Sequence, residues 1–175
     1  MSFWSAIFRG KGGKNVHQQV KAAGVLSDEE GWYYDESQNF SKSQSTIRIE
    51  QQRPGEWETL ESSCAIMGLN SPGRREKVSR FFAGTYRWLR LEREVNGFQT
   101  SNVIKVIGTY REKGGKENAA HLGFLKQELA DDLQGEDLRA LWGRIRFIRF
   151  PAPNRGSKYL IRFDLMRNER SLRTA

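Results

Sequence analysis

"TYRWLRLEREVNGFQTSNVIKVIGTY", from Thr85 to Tyr110, is the stretch of sequence that decides the fold. Its first part, "TYRWLRLEREV", alternates apolar and polar residues, which is typical of a strand with Leu89 and Leu91 facing inward. Its last part, "NVIKVIGTY", predicts a second strand. The turn between them is polar, so the stretch predicts a hairpin. The turn also carries one large aromatic ring, Phe98, which either packs on the core or faces a ligand.

The segments on either side of this hairpin predict further strands and two short helices. Before it, "SSCAIMGL" predicts a buried strand and "NSPGRREKVSRFFAG" a helix that ends at Gly84. After it, "AAHLGFL" predicts a strand and "KQELADDLQG" a helix that ends at Gly135. The last two strands are "RALWGRIRFIRF" and "SKYLIRFDLM", joined by "PAPNRG". This order predicts a mainly β fold with two short helices, either a small barrel or a strongly curved sheet with helices over its openings.

The chain divides by composition into three predicted parts. Residues 1–60 form an N-terminal extension that is partly ordered, residues 61–167 form the β domain, and residues 168–175 form a basic tail. Within the extension, "STIRIEQQ" predicts a strand, "NVHQQVKAAGVLSDEEG" a short helix, and "FSKSQS" and "QRPGEWE" loops. The apolar residues of "FWSAIF" have helical spacing. They predict either a short helix that packs on the main domain or a segment that binds a partner or a membrane surface.

Several function classes are disfavoured by composition. The chain has 175 residues and a single cysteine, Cys64, so no internal disulfide can form, which favours a reducing, cytoplasmic setting. No apolar run approaches the ~20 residues that span a bilayer, so no integral membrane association is expected. There is no phosphate-binding loop motif, and the histidines and cysteine lack metal-ligand spacing. We therefore expect no cofactor, no metal and no enzymatic activity; the enzymatic alternative is a metal-dependent nuclease.

Positive charge is concentrated at the C-terminal end. Residues 139–175 hold ten Lys and Arg but only two Asp and Glu, whereas residues 1–138 hold 19 of each sign. The net charge of +8 therefore comes entirely from the last segment. Arginines alternate with aromatic residues there, as in "LWGRIRFIRF", which favours a polyanion partner over a merely solvated tail.

Four short motifs in order resemble the HIRAN domain family between Cys64 and about Leu133. They are "AIMGL", "WLRLERE", the turn "NGFQTSNVIKV" and the helix-starting element "LGFLKQELA". The resemblance implies a small OB-like β-barrel that binds DNA, single-stranded DNA or a 3′ end in particular, in a DNA-processing or repair context. The alternative function is protein interaction, by a non-catalytic adaptor that recruits a helicase or nuclease. RNA is not excluded as the nucleic acid.

The candidate nucleic-acid-binding residues come from this resemblance and from charge. The resemblance implies roles for Asn96, Phe98 and Gln99 in the turn, although Gln99 stands where the family has Asp. It also implies a role for Phe124, with Lys126 at the start of the following helix; core packing is the alternative for both phenylalanines. Charge and position add Arg74 and Arg75 at a helix opening, Arg144 and Arg146 on one face of a strand, and Lys158 in the following loop.

Overall fold

The structure is a computed structural model that describes residues 19–27, 32–40, 45–94, 102–112, 114–151 and 158–168, with backbone only for 19–27 and 38–40. The strands are β1 (Gln19–Ser27), β2 (Tyr33–Phe40), β3 (Ser45–Gln52), β4 (Trp57–Ala65), β5 (Thr85–Arg93), β6 (Ile104–Arg111), β7 (Glu117–Phe124), β8 (Leu141–Arg149) and β9 (Leu160–Asn168). The helices are α1 (Arg75–Ala83) and α2 (Gln127–Asp132), and 3-10 turns span Pro72–Arg74 and Leu138–Ala140. The prediction of a mainly β fold with two short helices is confirmed.

All nine strands belong to one antiparallel sheet. The order β1-β2-β3-β8-β5-β6-β7 forms its main path, and β9 pairs with both β8 and β4. Among the described residues no ladder joins β4 to β7, so strand pairing does not close the sheet. A single bridge instead links Phe124 at the end of β7 to Met67 just beyond β4, through reciprocal N–H···O bonds of 2.8 and 2.9 Å. The sheet is therefore strongly curved and barrel-like, with one narrow seam.

The predicted N-terminal extension contributes strands to this sheet. β3 pairs with β8, and Ile47 and Ile49 lie in the same apolar core as Phe163 and Leu165. β4 crosses the predicted boundary at residues 60 and 61, because its pairing with β9 runs from Trp57 to Ala65. No break in the sheet marks that boundary.

One secondary-structure prediction was wrong. "NVHQQVKAAGVLSDEEG" was expected to contain a helix, but Gln19–Ser27 is β1 and pairs with β2 along its length. Val20 and Val25 favour a strand, and Gly24 disfavours the interior of a helix. β2 itself was not predicted, because Glu36 occupies an inward position and interrupts the apolar alternation.

Glu36 is buried because Arg87 of β5 neutralises it. Their side chains are 2% and 3% exposed and form an ion pair. Arg87 also donates to the carbonyl oxygens of Phe81 (3.0 Å) and Phe82 (2.8 Å) at the end of α1. Tyr34 donates its hydroxyl proton to Glu36 and accepts from the Arg87 backbone N–H at 3.0 Å. This network fastens β2 to β5 and α1, since any unpaired member would be a desolvated polar group.

Candidate nucleic-acid interface

The seam of the sheet positions the first group of candidate residues. Gly123 has φ +157°, and a Cβ there would lie 2.2 Å from the Met67 carbonyl oxygen. Only glycine therefore allows the backbone of β7 to approach the Met67 segment closely enough for the bridge. The bridge places the Phe124 ring beside the 3-10 turn Pro72–Arg74.

Arg74 and Phe124 are in contact. The Arg74 guanidinium carbon lies 4.7 Å from the Phe124 ring centroid, within the range of a cation–π interaction. The same side chain donates to the Gly68 carbonyl oxygen and the Ser71 hydroxyl, each at 3.2 Å. The His121 ring meets Phe124 edge-on at 4.9 Å. Phe124 is thus half-buried in contact with a cation and an imidazole, rather than a bare stacking surface or a fully buried core residue.

The imidazole beside Phe124 is held neutral. Burial lowers the pKa of His121, and the nearby Arg74 charge lowers this pKa further. The His121 Nε2 lies 3.0 Å from the Gly123 carbonyl oxygen. The cluster therefore carries one positive charge, on Arg74, at neutral pH.

Arg75 and Lys158 share a cavity of about 510 Å³ that Pro72 of the same turn also lines. Asn70 fixes its shape by donating to the Tyr159 carbonyl oxygen at 2.9 Å and accepting from the Tyr159 backbone N–H at 2.8 Å. The Tyr159 ring packs on Phe82 at 4.7 Å. Both cations are exposed, and neither forms an ion pair with a carboxylate of the described residues. Two uncompensated charges over a braced wall suit the oxygens of a phosphate.

The arginines of β8, unlike Arg75 and Lys158, are paired with a carboxylate. Arg144 donates to Asp164 at 2.8 Å, and Arg146 approaches the same carboxylate oxygen at 3.5 Å. Burial alone would raise the pKa of Asp164, but the hydrogen bonds from Arg144 and the Ser63 N–H outweigh it and the pKa is lowered. The expected exposure holds for Arg146, at 57%, and not for Arg144, at 28%. Arg144 is chiefly the partner of a buried carboxylate.

Lys126 is also compensated locally. Its ammonium group pairs with Glu128, and this hydrogen bond raises the pKa of Lys126. It lines a cavity of about 400 Å³ that also holds Arg162 and three carboxylates, Glu61, Glu128 and Asp132. That mixed charge offers little preference for an anion.

The predicted turn residues Asn96, Phe98 and Gln99 lie outside the described residues. The structure does describe the two chain ends that flank them. Arg93 donates to the Asn102 side chain and, at 2.6 Å, to the Leu133 carbonyl oxygen. Gln127 of α2 donates to the Asn102 carbonyl oxygen at 3.1 Å. Both flanks are therefore anchored to α2 and the segment that follows it.

Sequence reasoning missed a third cavity entirely. It measures about 480 Å³, and aromatic rings from β2, β5, β6 and β8 line it together with Arg53. No local motif could reveal it, because its residues are scattered from Trp32 to Trp142 along the chain. Cys64, in contrast, is buried with its pKa raised by burial, as expected for a structural thiol.

The described part of the chain contains no group of three or more His, Cys, Asp or Glu placed to hold a metal ion. None of its helices is long and apolar enough to cross a membrane. Comparisons of the chain with protein-family models, curated proteins and solved structures gave no match. The HIRAN resemblance therefore stays a prediction, and the fold class alone is established.

Proposed function

We propose that the protein is a nucleic-acid-binding module without catalysis of its own, which prefers single-stranded DNA or DNA ends. The observation that carries this proposal is the convergence of four candidate residues on one 3-10 turn. Arg74 and Arg75 lie at its end, Phe124 contacts Arg74 after the Met67 bridge, and Lys158 lines a cavity together with Pro72 and Arg75. We call these four residues the turn face.

The turn face combines the two interactions that single strands require. Arg75 and Lys158 offer uncompensated charges for phosphates, beside the ring of Tyr159. Arg74 and Phe124 form a stacked pair, and displacement of the guanidinium by a base would exchange one stacking partner for another. Stacking of a base on an aromatic ring is worth ~1–3 kcal/mol and tolerates any base. The order of the HIRAN-like motifs adds the preference for single strands and ends to this proposal.

Fluorescence anisotropy with labelled single-stranded, duplex and 3′-blocked oligonucleotides tests the proposal. We expect single strands to bind most tightly, with an affinity that falls as salt rises, because phosphate contacts release counterions. Absence of salt-sensitive binding to all three ligands would refute it. Equal affinity for free and blocked 3′ ends would retain the binding function and remove end capture.

A pair of double variants locates the site. Arg75→Ala with Lys158→Ala removes the two free charges of the turn face, and we expect affinity to fall at least about tenfold, or ~1.4 kcal/mol. Arg48→Ala with Lys116→Ala is the matched control, because both are exposed and neither lines the cavity shared by Arg75 and Lys158. Equal losses in the two variants would show that net charge, and not the turn face, determines binding.

A further inference from the structure

The cavity of about 480 Å³ that sequence reasoning missed has an aromatic wall. Its volume lies within the ~300–1,000 Å³ typical of small-ligand sites. The Trp88 ring packs against Trp32 at 5.0 Å and against Trp142 at 6.0 Å. Tyr34, Tyr86 and Tyr110 extend this wall. Trp32 directly precedes β2, and the other rings lie on β2, β5, β6 and β8, so the sheet itself holds them in place.

Arg53 lies at this wall without an anionic partner. Its guanidinium carbon is 5.0 Å from the ring centroids of both Trp32 and Trp57. No carboxylate of the described residues forms an ion pair with it. Burial lowers the pKa of Arg53, so the charged form is already partly desolvated. A guanidinium stacked on rings keeps its in-plane N–H donors directed outward, where they can bind an anion.

Arg111 repeats the arrangement at the rim. Its guanidinium carbon lies 5.5 Å from the Tyr86 ring, and it too has no ion pair with a described carboxylate. Among the described residues Glu117 is the one acid that lines the cavity, and the third arginine, Arg90, is paired with Glu92. The uncompensated charge of the lining is therefore positive.

Trp142 is a buried member of this wall. It lines the cavity and is 4% exposed, yet its indole N–H has no hydrogen-bond acceptor among the described residues. Buried donors are normally paired, because leaving one unsatisfied costs about 1–3 kcal/mol. Trp142 therefore adds one unsatisfied buried donor to the aromatic wall.

We propose that this cavity binds an unpaired base together with an adjoining phosphate, as a second contact for the strand held at the turn face. The inference rests on the proposed nucleic-acid function. The aromatic wall stacks the base, and Arg53 and Arg111 bind the phosphate. The excess of unpaired arginine favours this anionic ligand over a proline-rich peptide, which aromatic grooves also bind but which brings no negative charge. Trp32 and Arg53, which precede the HIRAN-like region, thereby become part of the binding surface.

Tryptophan fluorescence reports on this cavity directly. Of the five tryptophans in the chain, Trp32, Trp88 and Trp142 line the cavity, and Trp57 packs on Trp142 at 5.8 Å. A Trp4→Phe parent leaves these four as the only reporters. We expect a single-stranded oligothymidylate to quench this parent at the same concentrations at which anisotropy records binding.

Arginine variants in that parent complete the test. We expect Arg53→Ala to weaken oligothymidylate binding about tenfold and to reduce the quenching. Arg53→Lys keeps the charge but not the planar stack, so its oligothymidylate affinity should lie between those of the parent and of Arg53→Ala. Arg48→Ala is the control, and thermal unfolding verifies that each variant is folded. Arg111→Ala provides a second, exposed site for the same measurement.

The outcomes separate the two proposals. If anisotropy records binding but the fluorescence does not change, and Arg53→Ala binds as tightly as Arg48→Ala, the second contact is refuted and the turn face stands. If a polyproline peptide quenches the fluorescence and oligothymidylate does not, the cavity is a peptide site. If neither method records oligonucleotide binding, the proposed function fails and this inference fails with it.

Discussion

Arginines on β8 and arginines on the turn face have the same sequence signature but different surroundings. Arg144 and Arg146 meet at Asp164, whereas Arg75 has no described carboxylate as a partner. Arg87 is the extreme case of the first kind, since it is 3% exposed and fully engaged by Glu36 and backbone oxygens. A basic residue is available to a polyanion only where the fold has not already neutralised it. Net charge by itself therefore does not locate a binding surface.

Replacing Arg87 gives the largest expected effect of this comparison. Arg87→Ala leaves Glu36 buried and unpaired and frees two carbonyl oxygens at the end of α1. Breaking a buried pair in this way costs about 3–5 kcal/mol. We expect a loss of this size in the free energy of unfolding, measured by urea denaturation. Arg75→Ala, on the exposed turn face, should change it by no more than about 0.5 kcal/mol. Equal stability of the two variants would contradict the division into engaged and free arginines.

Asp164→Asn removes the carboxylate that pairs with the β8 arginines. The substitution removes the negative charge that holds Arg144 and Arg146, so we expect a loss of about 1–3 kcal/mol in stability. It also releases two positive charges. If the proposed function holds, nucleic-acid affinity at low salt should rise, and log affinity should depend more steeply on log salt. Asp131→Asn is the control for charge, because Asp131 is exposed and lies on α2. An increase in affinity of the same size in both variants would assign the effect to net charge.

The lowered pKa of Asp164 also predicts how the stability of the fold changes at acid pH. Because the folded state lowers the pKa of Asp164, its stabilising contribution is complete above the unfolded pKa of about 3.9 and is lost as pH falls through the lower, folded value. Urea unfolding midpoints measured from pH 5 downward should therefore fall less steeply with acid in Asp164→Asn than in the parent. Identical pH dependence in the two proteins would show that Asp164 does not couple to folding.

From Cys64 onward the sequence sufficed to predict the strands and helices, but not which side chains contact one another. Periodicity predicted the strands and helices from Cys64 onward, because their apolar faces alternate locally. Asp164 could not be assigned to Arg144, because they become neighbours only through the register between β8 and β9. β2 escaped detection for a similar reason, since Glu36 is buried by a partner on β5.

For the candidate site, too, single residues were predicted from the sequence, whereas the cavities that they line were not. Arg75 and Lys158 were predicted one by one, and the cavity that they share depends on the contact between Asn70 and Tyr159. The aromatic cavity left no signal of its own in the sequence. Scattered tryptophans become one wall only when β2, β5 and β8 lie in one sheet.

Single substitutions distinguish the turn-face arginine from the β8 arginine by their effects on oligonucleotide affinity. Arg75→Ala removes a free charge of the turn face and should lower oligonucleotide affinity severalfold. Arg146→Ala removes a charge that Asp164 already offsets in part, so we expect a smaller loss, about twofold or less. Anisotropy at low and at moderate salt measures both. A greater loss in Arg146→Ala would move the binding surface from the turn face to β8.

The smallest expected effect is the change in folding stability that accompanies protonation of His121. Because burial and Arg74 lower its pKa in the folded state, the unfolded chain takes up the proton first as pH falls below about 6.5. Stability should therefore decline slightly from that pH down to the folded pKa and then level off. Titration of the His121 ring signals by NMR gives the folded pKa directly, and Arg74→Gln should raise it by removing the neighbouring charge. An unchanged pKa in Arg74→Gln would mean that the charge of Arg74 does not influence the neighbouring imidazole.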